Sequence, residues 1–194
     1  MRVISGSARG RTLKAVPGMN TRPTTDKVKE ALFSMIGPYF EGGVVLDLFA
    51  GTGGLGIEAI SRGMDKAIFI DMDTKAIDTI RYNVKVASVE SKAEIYRNDA
   101  KRALKVLEKR GSQFDLVFMD PPYRYTDADQ LLATMIEGQL LGEDAVIVIE
   151  HDSAHQYPET IQSFTSWKQA KYGDTTLSLY RRAVQDSSSG AHEV

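Results

Sequence analysis

The chain has 194 residues, 42% of them apolar and 26% charged, a size and balance that suit one globular domain with a proper core. With no cysteine, disulfide frameworks and cysteine-rich zinc centres are excluded, and His151, His155 and His192 are too few and too late for a usual metal centre, so no metal is expected. The net charge of −2 argues against wholesale coating of nucleic acid, and the lack of a leader-like segment at Met1–Gly6 or of a bilayer-length apolar run predicts a cytoplasmic protein without a membrane partner.

The charge is unevenly spread. Residues 1–30 carry Arg2, Arg9, Arg11, Lys14, Arg22, Lys27 and Lys29 against Asp26 and Glu30, a net +5, which leaves −7 for the remainder. Such an end offers a local patch for a phosphate backbone, or an ordinary solvated surface. Within it, Val3–Val16 is punctuated by glycines and predicts a small β-hairpin. Thr24 or Thr25 is placed to cap a helix through Val28, Leu32, Met35 and Ile36, with Asp26 and Glu30 pairing with Lys27 and Lys29 or sitting at the helix start.

From residue 44 the pattern alternates. Strands are expected at Val44–Phe49, Lys66–Ile70, Ala93–Arg97, Phe114–Met119 and Ala145–Ile149, and helices at Leu55–Arg62, Thr74–Ser88, Ala100–Lys109 and around Asp127–Glu137. This order predicts a doubly wound, mostly parallel α/β sheet. Trp167–Tyr172 and Thr175–Arg181 flank Gly173-Asp174 and predict a terminal antiparallel hairpin, bringing the sheet to seven strands. The polar stretch 186–194 is expected to be a disordered tail. The expected organisation is one domain over 1–185, a basic extension at 1–40 joined to a Rossmann-like core at 41–185.

The first chemical motif is Asp47-Leu48-Phe49-Ala50-Gly51-Thr52-Gly53-Gly54-Leu55-Gly56. Its G-x-G-x-x-G between strand and helix, with Asp71 about twenty residues on, also fits a dinucleotide site and hence an NAD-dependent oxidoreductase. A pyrophosphate favours a bare helix N-terminus, however, and a carboxylate at Asp47 repels it. The same carboxylate suits the sulfonium and ammonium of S-adenosylmethionine. Asp71 and Asp99 close the next two strands and are placed to accept from ribose hydroxyls and the adenine amino group; each could instead cap a helix, and Asp73 is read as a cap that stands close enough to the ligand to stay a candidate.

The second motif is Asp120-Pro121-Pro122-Tyr123, at the end of the fourth strand. An exocyclic amine on a base is a weak nucleophile because its lone pair is delocalised into the ring. The Asp120 carboxylate and the Pro121 carbonyl can each accept one N–H, which turns that lone pair toward a methyl donor; the prolines stiffen the turn and Tyr123 offers a stacking face. Related clamps serve adenine-N6 and glutamine-N5 methylation, so the motif alone leaves the amine open. A non-catalytic RNA-binding assembly factor would keep the basic end without needing Asp120. His151 and His155 are read as surface or supporting residues, Glu150 as a strand-end acid facing either the cleft or solvent, and Trp167, Tyr172 and Tyr180 as packing.

Arg2-Val3-Ile4-Ser5-Gly6 with Arg9-Gly10-Arg11, and the run from Arg22-Pro23-Thr24-Thr25 to Ala31-Leu32-Phe33, are more specific than either motif. Together with those motifs they resemble the bacterial 16S ribosomal RNA guanine-N2 methyltransferases of the RsmD type over residues 2–182. The resemblance implies a cofactor pocket of Asp47, Phe49, Gly51, Gly53, Asp71, Asp99 and Ala100 for S-adenosylmethionine, and a base clamp at Asp120, Pro121, Pro122 and Tyr123. It further implies RNA contacts at Arg9, Arg11, Lys14 and Arg22, with 16S rRNA in a small ribosomal subunit or assembly intermediate as the partner.

Overall fold

The computed structural model describes residues 1–19 and 24–185; Arg22 and the expected tail at 186–194 lie outside the described residues. Among the described residues five α-helices, α1 (Asp26–Ile36), α2 (Gly54–Ser61), α3 (Thr74–Val86), α4 (Ala100–Lys109) and α5 (Ala128–Glu137), interleave with the strands β1 (Val44–Leu48), β2 (Lys66–Asp71), β3 (Ala93–Arg97), β4 (Phe114–Met119) and β5 (Leu141–Asp152). Three further strands follow: β6 (Thr160–Ile161), β7 (Phe164–Tyr172) and β8 (Thr175–Arg182). They form one sheet in the order β3-β2-β1-β4-β5-β8-β7-β6, parallel through β5 and antiparallel beyond it.

The expected doubly wound α/β architecture is therefore present. Two details differ. β6 adds an eighth strand, too short at two residues to show any alternation in the sequence. β5 begins at Leu141 rather than Ala145, because an irregularity between Phe114 and Leu116 lets Phe114 pair with Leu141 before regular pairing resumes.

Alternation along the strands divides the core into two layers. Val45, Phe69, Leu116, Phe118 and Val148 pack under α1, α2 and α3, whereas Leu46, Leu48, Ile68, Met119 and Ile149 pack under α4 and α5. Strands buried on both faces explain the near-continuous apolar runs of β1, β2 and β4.

The N-terminal segment lies on the first face as a short antiparallel pairing, with Arg2 bridging Thr12 and the Val3 and Leu13 amides donating to the Arg11 and Met1 carbonyls at 2.9 Å. α1 begins where the Thr25 hydroxyl accepts from the Val28 amide, as expected of a cap. Its Lys29 is buried rather than paired with a neighbour on its own helix. Lys29 Nζ lies 3.4 Å from Glu58 of α2, and Arg62 meets the same carboxylate at 2.9 Å. Glu58 also accepts from the Ile4 and Ser5 amides, and Lys29 donates to the Arg2 carbonyl. Burial lowers the Lys29 pKa against the opposing pull of Glu58. Asp26 pairs with Arg2 instead of Lys27. Lys29 is thus an internal cation and no part of a surface patch.

Candidate active site

The sheet reverses its winding between β1 and β4, and open α/β sheets bind ligands beyond the carboxyl ends of strands at such a point. Leu48 pairs with Met119, so the glycine loop after β1 and the Asp-Pro-Pro-Tyr turn after β4 leave the sheet side by side.

Asp47 is 2% exposed and faces α2, whose Gly56 amide donates to its Oδ2 at 3.0 Å. Burial, opposed by that hydrogen bond and reinforced by the charge of Asp71, raises its pKa from 3.8 to about 8. A side chain at Gly56 would place its Cβ 2.5 Å from the Phe69 ring, so only glycine lets this amide approach the carboxyl. Gly51 (φ +57°) and Gly53 (φ +77°) turn the loop through left-handed backbone. A Cβ at Gly51 would meet nothing within 4 Å, which leaves the loop's outer side open to a ligand. Phe49 takes φ +66°, a conformation a bulky L-residue enters only under strain, and such outliers concentrate at binding sites. Its ring packs against Tyr125 with centroids 5.2 Å apart.

Asp71 ends β2 and accepts the Gly51 and Asp73 amides, each at 2.9 Å, so it shapes the glycine loop as well as standing beside it. Asp99 caps α4 by accepting the Arg102 amide at 3.1 Å, with Ala100 buried next to it. Asp73 caps α3 through Lys75. Asp47, Asp71 and Asp99 close three consecutive strands of the sheet. They fit a ligand with a cationic part and a polyhydroxylated part, since a buried carboxyl holding one N–H leaves acceptor capacity for a cation.

Asp120 follows Met119, and its paired strand continues from Ile149 into Glu150. Because Phe118 and Val148 belong to the first layer and Met119 and Ile149 to the second, alternation turns Asp120 and Glu150 to the first face together. Asp120 keeps an open side, yet surrounding protein disfavours its anion, and the charges of Glu150 and Asp47 add to this, so its pKa stands well above the ordinary value. Burial likewise raises Glu150, against a stabilising hydrogen bond from the Thr24 hydroxyl at 3.1 Å. Among the described residues the Asp120 carboxyl accepts no hydrogen bond. Pro121 is buried, while Tyr123 is 60% exposed with its hydroxyl 3.4 Å from that of Thr175. The Tyr125 amide donates to the Pro122 carbonyl and closes the turn.

Two residues were missed or left undecided in the sequence. Tyr125 carries no motif, and only the fold brings it onto Phe49. Glu150, for which the sequence left cleft and surface open, is half-buried beside Asp120; its signal was its place right after the apolar run Ala145–Ile149 in register with the clamp. The two histidines do support the structure: His151 is buried, bonded to Ser178 and to the Asp152 carbonyl, and His155 packs edge-on to Tyr157. Tyr180 is buried, and Trp167 and Tyr172 pack on the core.

The expected RNA contacts separate. Arg9, Arg11 and Lys14 are exposed. Lys14 stands over Tyr82, and its backbone is held by Asn83, which also binds the Thr52 carbonyl of the glycine loop. Arg9 lies near the other end of α2, where the Ala8 amide donates to Ser61, roughly 12 Å down an eight-residue helix from the loop. Among the described residues no group of three or more metal-type ligands occurs, and no helix is long and apolar enough to cross a membrane.

A profile of the family described as "Conserved hypothetical protein 95" matches residues 1–181. The chain is 52% identical over 182 residues to YlbH of Bacillus subtilis, provisionally named an rRNA methyltransferase, covering 94% of this chain and 99% of that one. It is 32% identical to the ribosomal RNA small subunit methyltransferase D of Haemophilus influenzae, over 93% of each chain. Among solved structures it is similar to yhhF of Escherichia coli, provisionally described as a methyltransferase, with a TM-score of 0.79 and 31% identity over 95% of this chain and 99% of that one.

Proposed function

The chain belongs to the family of RsmD-type ribosomal RNA methyltransferases, and from that membership we propose that it transfers a methyl group from S-adenosylmethionine to the N2 amine of one guanine in 16S rRNA. The observation that carries the chemistry is the adjacency of a buried, nearly unpartnered carboxyl at Asp47 and the Asp120–Tyr123 turn on neighbouring strands. S-adenosylmethionine supplies an electrophilic methyl on a positively charged sulfur. Asp47 offsets the positive charge of its methionine half, Asp71 accepts from the ribose, and Asp99 from the adenine amine, with Phe49, Gly51, Gly53 and Ala100 lining the pocket.

Asp120 and the Pro121 carbonyl accept the two N–H groups of the target amine and aim its lone pair at the methyl carbon, while Tyr123 stacks on the extruded base. A bound S-adenosylmethionine would give up its methyl to that lone pair, the new N–C bond replacing the S–C bond whose electron pair would go to sulfur. The amine loses one proton, and Asp120, with its raised pKa, is suited to take it.

In this reading residues 1–40 form a basic extension on a catalytic core of 41–185. Lys14, Arg9, Arg11 and Arg22 contact phosphates and so set position rather than base identity. The acceptor is a guanine presented on a small-subunit particle, and the protein acts in the cytoplasm. Deleting the gene and mapping N2-methylguanine across 16S rRNA tests this: one site should lose its mark and regain it on complementation. Unchanged methylation at every guanine would refute it.

A further inference from the structure

The methyl-transfer chemistry above uses Asp120 and leaves Glu150 without a task. Glu150 is nonetheless placed by three independent features. Pairing of Met119 with Ile149 sets it laterally beside Asp120 on strands about 4.8 Å apart. Alternation turns both carboxyls to one face. The Thr24 hydroxyl, from the residue before the α1 cap, binds Oε2 and fixes the side chain. Among the described residues its Oε1 accepts nothing, so one oxygen of Glu150 and both oxygens of Asp120 remain available on the same side of the sheet.

Two adjacent acceptors match a base edge that presents two adjacent donors. On guanine, the N2 amine sits next to N1–H, so the edge reads donor, donor. On adenine, the N6 amine is flanked by the unprotonated N1 and N7, both acceptors, and a carboxylate facing either meets a lone pair. Resting on the guanine reading above, we infer that Glu150 is the specificity residue of the site: it accepts the N1–H of the target guanine while Asp120 accepts from N2, and it rejects purines whose amine is flanked by acceptors. The pair of carboxyls, costly while unsatisfied, becomes favourable when both receive N–H donors away from water.

The test replaces the mapped target guanosine in a 16S RNA fragment by 2,6-diaminopurine riboside, which keeps the N2 amine but carries no hydrogen on N1. Wild-type protein should methylate the guanosine RNA with a kcat/KM about 10- to 100-fold above that for the diaminopurine RNA. Glu150→Gln, whose amide can either accept or donate, should bring the two rates to within about threefold, mainly by raising the diaminopurine rate. Its affinity for S-adenosylmethionine, measured alongside, should match wild type and shows that the variant is folded. Thr24→Ala, which frees Glu150 without removing its charge, should lower discrimination part of the way. If Glu150→Gln binds the cofactor and keeps the wild-type preference, the inference is overturned while the guanine reading stands. If wild type methylates neither RNA, the guanine reading falls and this inference with it.

Discussion

Two groups of acids, one enclosed and one at the site, behave in opposite ways. Glu58, fully enclosed in α2, faces Lys29 and Arg62 and accepts two backbone amides besides, so its charge is answered entirely from within the chain. Asp47, Asp120 and Glu150, at the strand ends, together hold one amide and one hydroxyl. All three are pushed toward the neutral form, and none has a cation opposite it among the described residues. Satisfied charge builds structure, here by fastening the N-terminal segment and α1 to α2. Unsatisfied charge stores capacity for a ligand, and its sign indicates that the ligand brings cations and N–H donors.

The widest separation between the groups should come from Glu58→Ala. Removing one member of a compensated buried cluster strands Lys29 and Arg62, and should cost about 3–5 kcal/mol of stability, read as a large drop in thermal midpoint. Asp120→Ala should leave the midpoint within a few degrees but lower kcat about 100- to 1,000-fold, with cofactor affinity largely kept, as single-turnover and binding assays can separate.

Asp47→Asn tests the stability cost and the ligand capacity of the second group at once. The folded chain holds a proton on Asp47 up to about pH 8 that the unfolded chain releases near 3.8, so the ligand-free protein loses stability as pH rises through that window. The Asn variant should flatten this slope and melt above the parent at pH 8, while binding S-adenosylmethionine about tenfold more weakly or worse. The smallest effect belongs to Asp73→Ala, which removes only the α3 cap: about 1 kcal/mol of stability and no change in methyl transfer. A large activity loss there would blur the distinction between capping and binding acids that Asp99, doing the first and proposed for the second, already approaches.

Much of this was legible in the sequence because local chemistry forces it. The apolar runs of β1, β2 and β4 require a sheet covered on both faces, and the glycines at 51, 53 and 56 mark backbone that no side chain would tolerate or need. The Asp-Pro-Pro-Tyr turn carries its own rigidity. What stayed hidden depends on register and long-range packing. Lys29 looked like one more surface cation because its partner lies 29 positions away on another helix. Glu150 looked like a strand-end acid because only the pairing of β4 with β5 sets it beside Asp120. β6 escaped because two residues show no period.

Proton release on cofactor binding probes the central contrast most directly. Calorimetric titration of S-adenosylmethionine into the protein at pH 7, repeated in buffers of different ionisation enthalpy, counts the protons that leave. With the Asp47 pKa at about 8 in the ligand-free chain and driven down by an arriving cation, close to one proton should be released, and none from Asp47→Asn. Binding that releases no proton from the parent, or the same number from both, would contradict the account.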